Sequence, residues 1–226
     1  MDKVTKFKGK LKAQGLKGLA LDIDETLSDT NTHWFEHMFK FHMPKDKTKE
    51  DILKEYKFVE NVPEWKSEKA SKYIEEILHS NKFNESAPLI KGADKFVNEI
   101  NKIIPIVAYI TARPETVLDG TKKWLKKHGF PEAELIVRPN NISLENFNLE
   151  KNRWKAGILK TLYPEVVGIV DDNVVLAHEL EKVNYEGILY LYGAENNEFV
   201  GKRKVVVCSA WPDVLDAIQK YCKIYK

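Results

Sequence analysis

Two aspartates two positions apart, in Asp22-Ile-Asp24-Glu-Thr26, follow the apolar run Gly18-Leu-Ala-Leu21. If that run is a strand, its two-residue side-chain period turns both carboxylates to the same side at its end. Paired carboxylates can attack as nucleophiles or move protons, and Thr26 is placed to fix the turn that follows. Three fixed residues recur by chance in chains of this length, so other segments have to decide. Tyr109-Ile-Thr111 ends a second apolar run in a hydroxyl, and Ile169-Val-Asp171-Asp172 ends a later one in two more carboxylates. Lys155 lies on a helical pattern just before that last run, where a cation can reach back towards a negative group.

These residues need elements to hold them. Further strand-like runs span Ile104–Ile110, Glu134–Val137, Val166–Val170, Gly187–Tyr192 and Lys204–Cys208. Helical periodicity runs through Ala93–Lys102, Pro114–His128, Leu149–Leu162, Val174–Lys182 and Trp211–Tyr225. The alternation predicts an α/β fold, a doubly wound parallel sheet of Rossmann-like type, whose ligands bind beyond the carboxyl ends of the strands. Residues 28–88 break the rhythm with three helical patterns, Asn31–Met43, Lys49–Phe58 and Ser67–His79. They read as a helical cap inserted after the first strand, with 1–27 and 89–226 as the core.

Asp-x-Asp-x-Thr, a strand-end Thr, a helical Lys and Asp-Asp, in that order over about Leu19 to Asn173, resemble the four motifs of the haloacid dehalogenase-like superfamily. The likeness is to its helical-cap phosphatases, of 5′-nucleotidase and acid phosphatase kind. It implies that Asp22 attacks phosphorus to give an aspartyl-phosphate and that Asp24 is the general acid and base. An Asp at this second position implies phosphoryl transfer rather than dehalogenation. By the same resemblance Mg²⁺ is held by the Asp22 side chain, the Asp24 main-chain carbonyl and Asp171, with Asp172 bound through water or orienting Lys155. Which of Asp171 and Asp172 is the direct ligand stays open. Thr111, the backbone amide of Ala112 and Arg113 hold the phosphate, and Lys155, or else Lys151, offsets its charge. Glu25 stands where the family often has Gly. Trp34 and Phe35, early in the cap, are candidates to stack on a substrate base.

The expected function is therefore Mg²⁺-dependent hydrolysis of a small phosphate monoester, with a nucleoside or deoxynucleoside monophosphate first in view. A polynucleotide 3′-phosphatase is the alternative within the chemistry, because the strand-end Asp-Asp and the Thr111-Ala-Arg-Pro114 turn resemble that group too. A catalytically silent phosphate-binding module is another. A third is a zinc peptidase, since His33-Trp-Phe-Glu36-His37 matches the H-x-x-E-H pattern with two histidines on one helical face. No third zinc ligand stands out, so these histidines are expected in the cap, lining the substrate pocket. Trp34, Phe35, Met38 and Phe39 form a helical stripe whose ordinary meaning is packing.

Composition narrows the field. With 43% hydrophobic and 31% charged residues in 226, the chain has the apolar content for a packed core. Its 36 basic and 34 acidic residues leave a net charge of +2, which makes no general case for nucleic acid or for an anionic membrane as partner. The longest apolar stretch, about Ile103–Ile110, is too short to span a bilayer, and a cytoplasmic location is expected. Lys3, Lys6, Lys8, Lys10, Lys12 and Lys17 read as a solvated, partly frayed leader. Cys208 and Cys222, far from any Cys/His cluster, suggest neither a disulfide framework nor a zinc site.

Overall fold

Six short apolar runs pair into one parallel sheet: β1 (Gly18–Leu21), β2 (Ile106–Pro114), β3 (Glu134–Arg138), β4 (Val166–Asp171), β5 (Ile188–Tyr192) and β6 (Val205–Cys208). A computed structural model describes residues 3–140, 146–193, 199 and 204–224. The strand order is β3-β2-β1-β4-β5-β6, so the winding reverses between β1 and β4. All five pairings are parallel. Parallel strands need helical crossovers that cover both faces, which is why these runs are apolar on both sides. In β1, Leu19 and Leu21 enter one core and Ala20 the other.

One face packs against α6 (Ala93–Asn101), α7 (Leu118–Lys127) and α10 (Trp211–Ile224), through Val97, Trp124 and Trp211. The other packs against α8 (Phe147–Leu162) and α9 (Val174–Lys182), and also against α1 (Lys3–Ala13). The first helix corrects the expectation of a frayed leader. Val4, Phe7 and Leu11 fall at helical spacing, are buried, and join the α8 side of the core. The density of lysines on the other faces hid a three-residue stripe. Lys8 is partly buried too, donating to the Tyr163 carbonyl at 2.6 Å.

Residues 30–86 supply α2 (Thr30–Phe41), α3 (Lys49–Glu55), α4 (Glu68–Leu78) and α5 (Asn81–Ser86), and none of these described residues belongs to a strand. A third apolar cluster comes from this stretch alone, with Phe35, Met38, Phe39, Ile52, Val62 and Trp65 fully or almost fully buried. No sequence pattern marks α5, which has one apolar residue and is held by tertiary contact. Asn81 at its start accepts from the Gly120 N–H at 2.6 Å, and a Cβ on Gly120 would lie 2.3 Å from the Asn81 carbonyl oxygen. Among the described residues no helix is long and apolar enough to cross a membrane.

Candidate functional site

The carboxyl ends of β1, β2 and β4 meet beside the reversal in strand order, where an open parallel sheet leaves a crevice. The Asp22 N–H donates to the Val170 carbonyl at 2.9 Å, continuing the β1–β4 ladder one residue past β1. The chain then turns sharply, with the Leu27 and Ser28 N–H groups donating to the Ile23 carbonyl at 2.8 and 2.9 Å. Glu25 takes the left-handed conformation, φ 59°, which explains why glycine suits this position. Its Oε1 accepts from the Asn31 N–H at 2.5 Å, so the turn is tied to the start of α2. Thr26 does not fix the turn as expected, because its buried hydroxyl has no partner among the described residues. Backbone bonds do that work, and the Trp211 indole holds the Thr26 carbonyl at 3.2 Å.

Lys155 is the hub of one half of the site. Its Nζ lies 2.9 Å from Asp22 Oδ2 and 2.6 Å from Asp171 Oδ2, and the ammonium is almost wholly buried. Burial alone would favour loss of its proton, but Asp171 and Asp22 outweigh that and raise its pKa. The Asn173 N–H fixes the other Asp171 oxygen at 2.9 Å. Asp22 Oδ1 is buried without a hydrogen-bond partner. Burial, together with Asp171 and Asp172, pushes the Asp22 carboxyl up to about 8 against the pull of Lys155. Burial and Asp171 push Asp172 up to about 7.

Asp24 sits in different company. Arg113 donates to it as a fork, Nε at 3.0 Å and Nη2 at 2.8 Å to Oδ1, while Thr30 donates at 2.6 Å and Thr111 at 3.2 Å. Burial acts to raise the Asp24 pKa, but Arg113, by charge and hydrogen bond, brings it below the ordinary carboxylate value. Thr111 is fully buried and its hydroxyl also accepts from the Arg113 N–H at 3.2 Å.

Asp22 and Asp171 thus share one buried ammonium, and Asp172 lies beside them. The three carboxylates offer one oxygen each within 4.8 Å of one another, and among the described residues no other such cluster is found. An all-oxygen donor set of three carboxylates, gathered within 4.8 Å of one another, fits a hard divalent cation.

No protein-family profile matches this chain, and no curated protein matches it in sequence. Similarity is found among solved structures. A HAD-superfamily hydrolase, subfamily IA, from Geobacter sulfurreducens superimposes with a TM-score of 0.52 at 14% identity, over 90% of this chain and 96% of that one. The chain has the haloacid dehalogenase-like fold. Another superfamily hydrolase, from Ehrlichia chaffeensis, aligns with a TM-score of 0.49 at 14% identity over 91% of this chain and 98% of that one. Cytosolic 5′-nucleotidase IIIB bound to cytidine gives 0.43 at 12% identity over 97% and 91%.

On this haloacid dehalogenase-like frame, Asp22, Asp24, Thr111, Arg113, Lys155, Asp171 and Asp172 come together, and Ala112 lies between Thr111 and Arg113. Lys155, rather than Lys151, contacts Asp22. Phe35 is buried among Phe39 and Trp65, 1% exposed, so it packs the helical segment and is not open to a substrate. Trp34 stays half-buried against Phe83. The H-x-x-E-H residues do not converge as zinc ligands. The His33 and His37 rings meet edge to face, His33 Nε2 is engaged by the Phe83 carbonyl at 3.1 Å, and Glu36 turns to Lys49 at 3.3 Å. Thr30 and Asn173 were missed. Each lies in a helix-start segment rich in Asp, Thr or Asn, where the sequence signal is a cap and says nothing of the site.

Proposed function

We propose that this protein hydrolyses small phosphate monoesters with a divalent cation of the magnesium type, through a phosphoryl group carried on Asp22. One observation carries the reading: buried Lys155 joins Asp22 to Asp171 and leaves Asp22 Oδ1 without a partner. A carboxylate whose one oxygen is neutralised and whose other is bare is oriented to attack. Asp22, Asp171 and Asp172, with the Asp24 carbonyl by resemblance, would hold the cation. When bound, it relieves the repulsion between carboxylate and phosphate.

The chain's own residues account for the rest. Asp22 Oδ1 forms a bond to phosphorus as the ester P–O bond breaks, and the leaving oxygen takes a proton from Asp24. Water then attacks the phosphorus and returns a proton to Asp24, freeing Asp22 and inorganic phosphate. Arg113 belongs to both halves. While its fork is on Asp24 it favours the carboxylate, which suits the base; drawn towards an arriving phosphate, it lets Asp24 keep the proton that the acid needs. Thr111, the Ala112 amide and Lys155 stabilise the transferring group.

Residues 28–88 act as a cap over a core of 1–27 and 89–226. The support is the double tie of α2 to the catalytic turn, through Thr30 on Asp24 and Asn31 on Glu25. Such a cap limits substrates to small esters and shields the phospho-enzyme from stray water. Trp34, half-buried, is available to stack on a base, so nucleoside and deoxynucleoside monophosphates head the panel.

The test is phosphate release from nucleoside 5′- and 3′-monophosphates, sugar phosphates and p-nitrophenyl phosphate, with Mg²⁺ or EDTA and with Asp22→Asn as control. Mg²⁺-dependent release that disappears in the variant is expected. Absence of release from every ester, or full activity in Asp22→Asn, overturns the proposal.

A further inference from the structure

Arg138 closes β3 and is 3% exposed. Burying a guanidinium is costly unless something negative receives it. Its Nε donates to the Ala112 carbonyl at 3.0 Å, tying it to the segment that holds Thr111 and Arg113. Among the described residues no carboxylate pairs with it, and burial is the one cause that lowers its pKa.

A second cation gathers at the same place. The Arg138 guanidinium lies 5.1 Å from the centre of the Phe147 ring, and Lys151 Nζ lies 5.5 Å from that centre. An aromatic face returns little to a buried cation, while two like charges beside one ring repel. Lys151 makes no ion pair among the described residues, and its sequence neighbour Glu150 is taken by Arg153 at 2.7 Å. Lys151 stands one turn before Lys155 on α8, so both project from one helix face, about 6 Å apart along the axis. Asn148 on the same turn accepts from the Asn173 side chain at 3.0 Å, which fixes the start of α8 beside Asp172.

We propose that Arg138, Lys151 and the Phe147 ring form a subsite for a second anionic group of the substrate, phosphate or carboxylate, roughly one helical turn from the scissile phosphate. The proposal rests on the phosphatase reading and narrows it: among the esters of the panel, those carrying a second anionic group are preferred. A nucleoside monophosphate without a second charge leaves this subsite unfilled.

Two measurements separate the failure of one idea from the failure of the other. The first compares kcat/KM for fructose 6-phosphate, fructose 1,6-bisphosphate, glycerol 3-phosphate and 3-phosphoglycerate in the parent protein and in Lys151→Met. In the parent the second charge is expected to raise kcat/KM at least tenfold within a pair, and Lys151→Met to erase most of that ratio. The sugar pair reads a second phosphate and the three-carbon pair a carboxylate. The second measurement titrates fructose 1,6-bisphosphate and fructose 6-phosphate calorimetrically into Asp22→Asn and into Asp22→Asn/Lys151→Met, which needs no turnover. The bisphosphate should lose about tenfold in affinity and the monophosphate far less, with Arg138→Gln behaving likewise. If no ester is turned over, the phosphatase reading fails, and the titration still decides the subsite. Equal binding of both compounds by both proteins overturns the subsite even where hydrolysis is found.

Discussion

Asp22 and Asp24 are two residues apart and live in opposite environments. Asp22, crowded by Asp171 and Asp172 in a buried site, is pushed up to about 8, whereas Asp24 is drawn below the ordinary range by the Arg113 fork. Attack on phosphorus needs Asp22 as the carboxylate, a form that a divalent cation held beside it would favour. Arg113→Lys replaces a planar fork with a single point charge. It should lower kcat/KM by about 10- to 100-fold in steady-state assays; a loss under threefold would show that the fork is dispensable. Glu25 combines a left-handed backbone with a bond to Asn31. Glu25→Ala keeps the strain and loses the bond, while Glu25→Gly loses both. The alanine variant should therefore be the less stable of the two by about 1 kcal/mol in urea unfolding.

At the scale of elements, α1 and the α5–α7 contact are structural features that composition concealed. If α1 is part of the core, Leu11→Ala should cost about 2–5 kcal/mol, the usual range for a buried leucine. A frayed leader would tolerate it within about 0.5 kcal/mol. Gly120 meets the Asn81 backbone so closely that an added methyl group has no room. Gly120→Ala should destabilise by about 1–3 kcal/mol through overpacking, although alanine is the better helix former. Denaturant midpoints at constant slope would check both substitutions.

For the molecule as a whole, the site is a store of negative charge that folding has to accommodate. Asp22 and Asp172 have folded pKa values of about 8 and about 7, above the unfolded value of 3.8, so between those limits the folded state binds more protons. Their contribution to stability is therefore lost as pH rises through that window. A divalent cation held by these carboxylates would remove this penalty by replacing the protons. The rise in melting temperature on adding Mg²⁺ should thus be larger at pH 8 than at pH 5, and Asp171→Asn should abolish most of it. The histidines lowered by burial, His33, His37 and His128, act in the opposite direction, with stability lost as pH falls below about 6.5. They contribute equally with and without the cation and cancel in the difference. A Mg²⁺ shift independent of pH would rule out the three-carboxylate site as its source.

The sequence by itself determined the sheet, its parallel sense and the armed strand ends, because apolar period and chain order are local properties that survive without coordinates. Asp22, Thr111, Lys155 and Asp171 were legible since each sits at a strand end or on a helix beside one. What only the tertiary structure decided depends on distance between remote elements. The choice of Lys155 over Lys151, which share a face of α8, turns on which helical turn comes level with Asp22. The capture of Asp24 by Arg113 joins residues 89 positions apart. The burial of Phe35, the docking of α1 and the gathering of Arg138 with Lys151 around Phe147 are likewise set by packing across the chain, which no local pattern encodes.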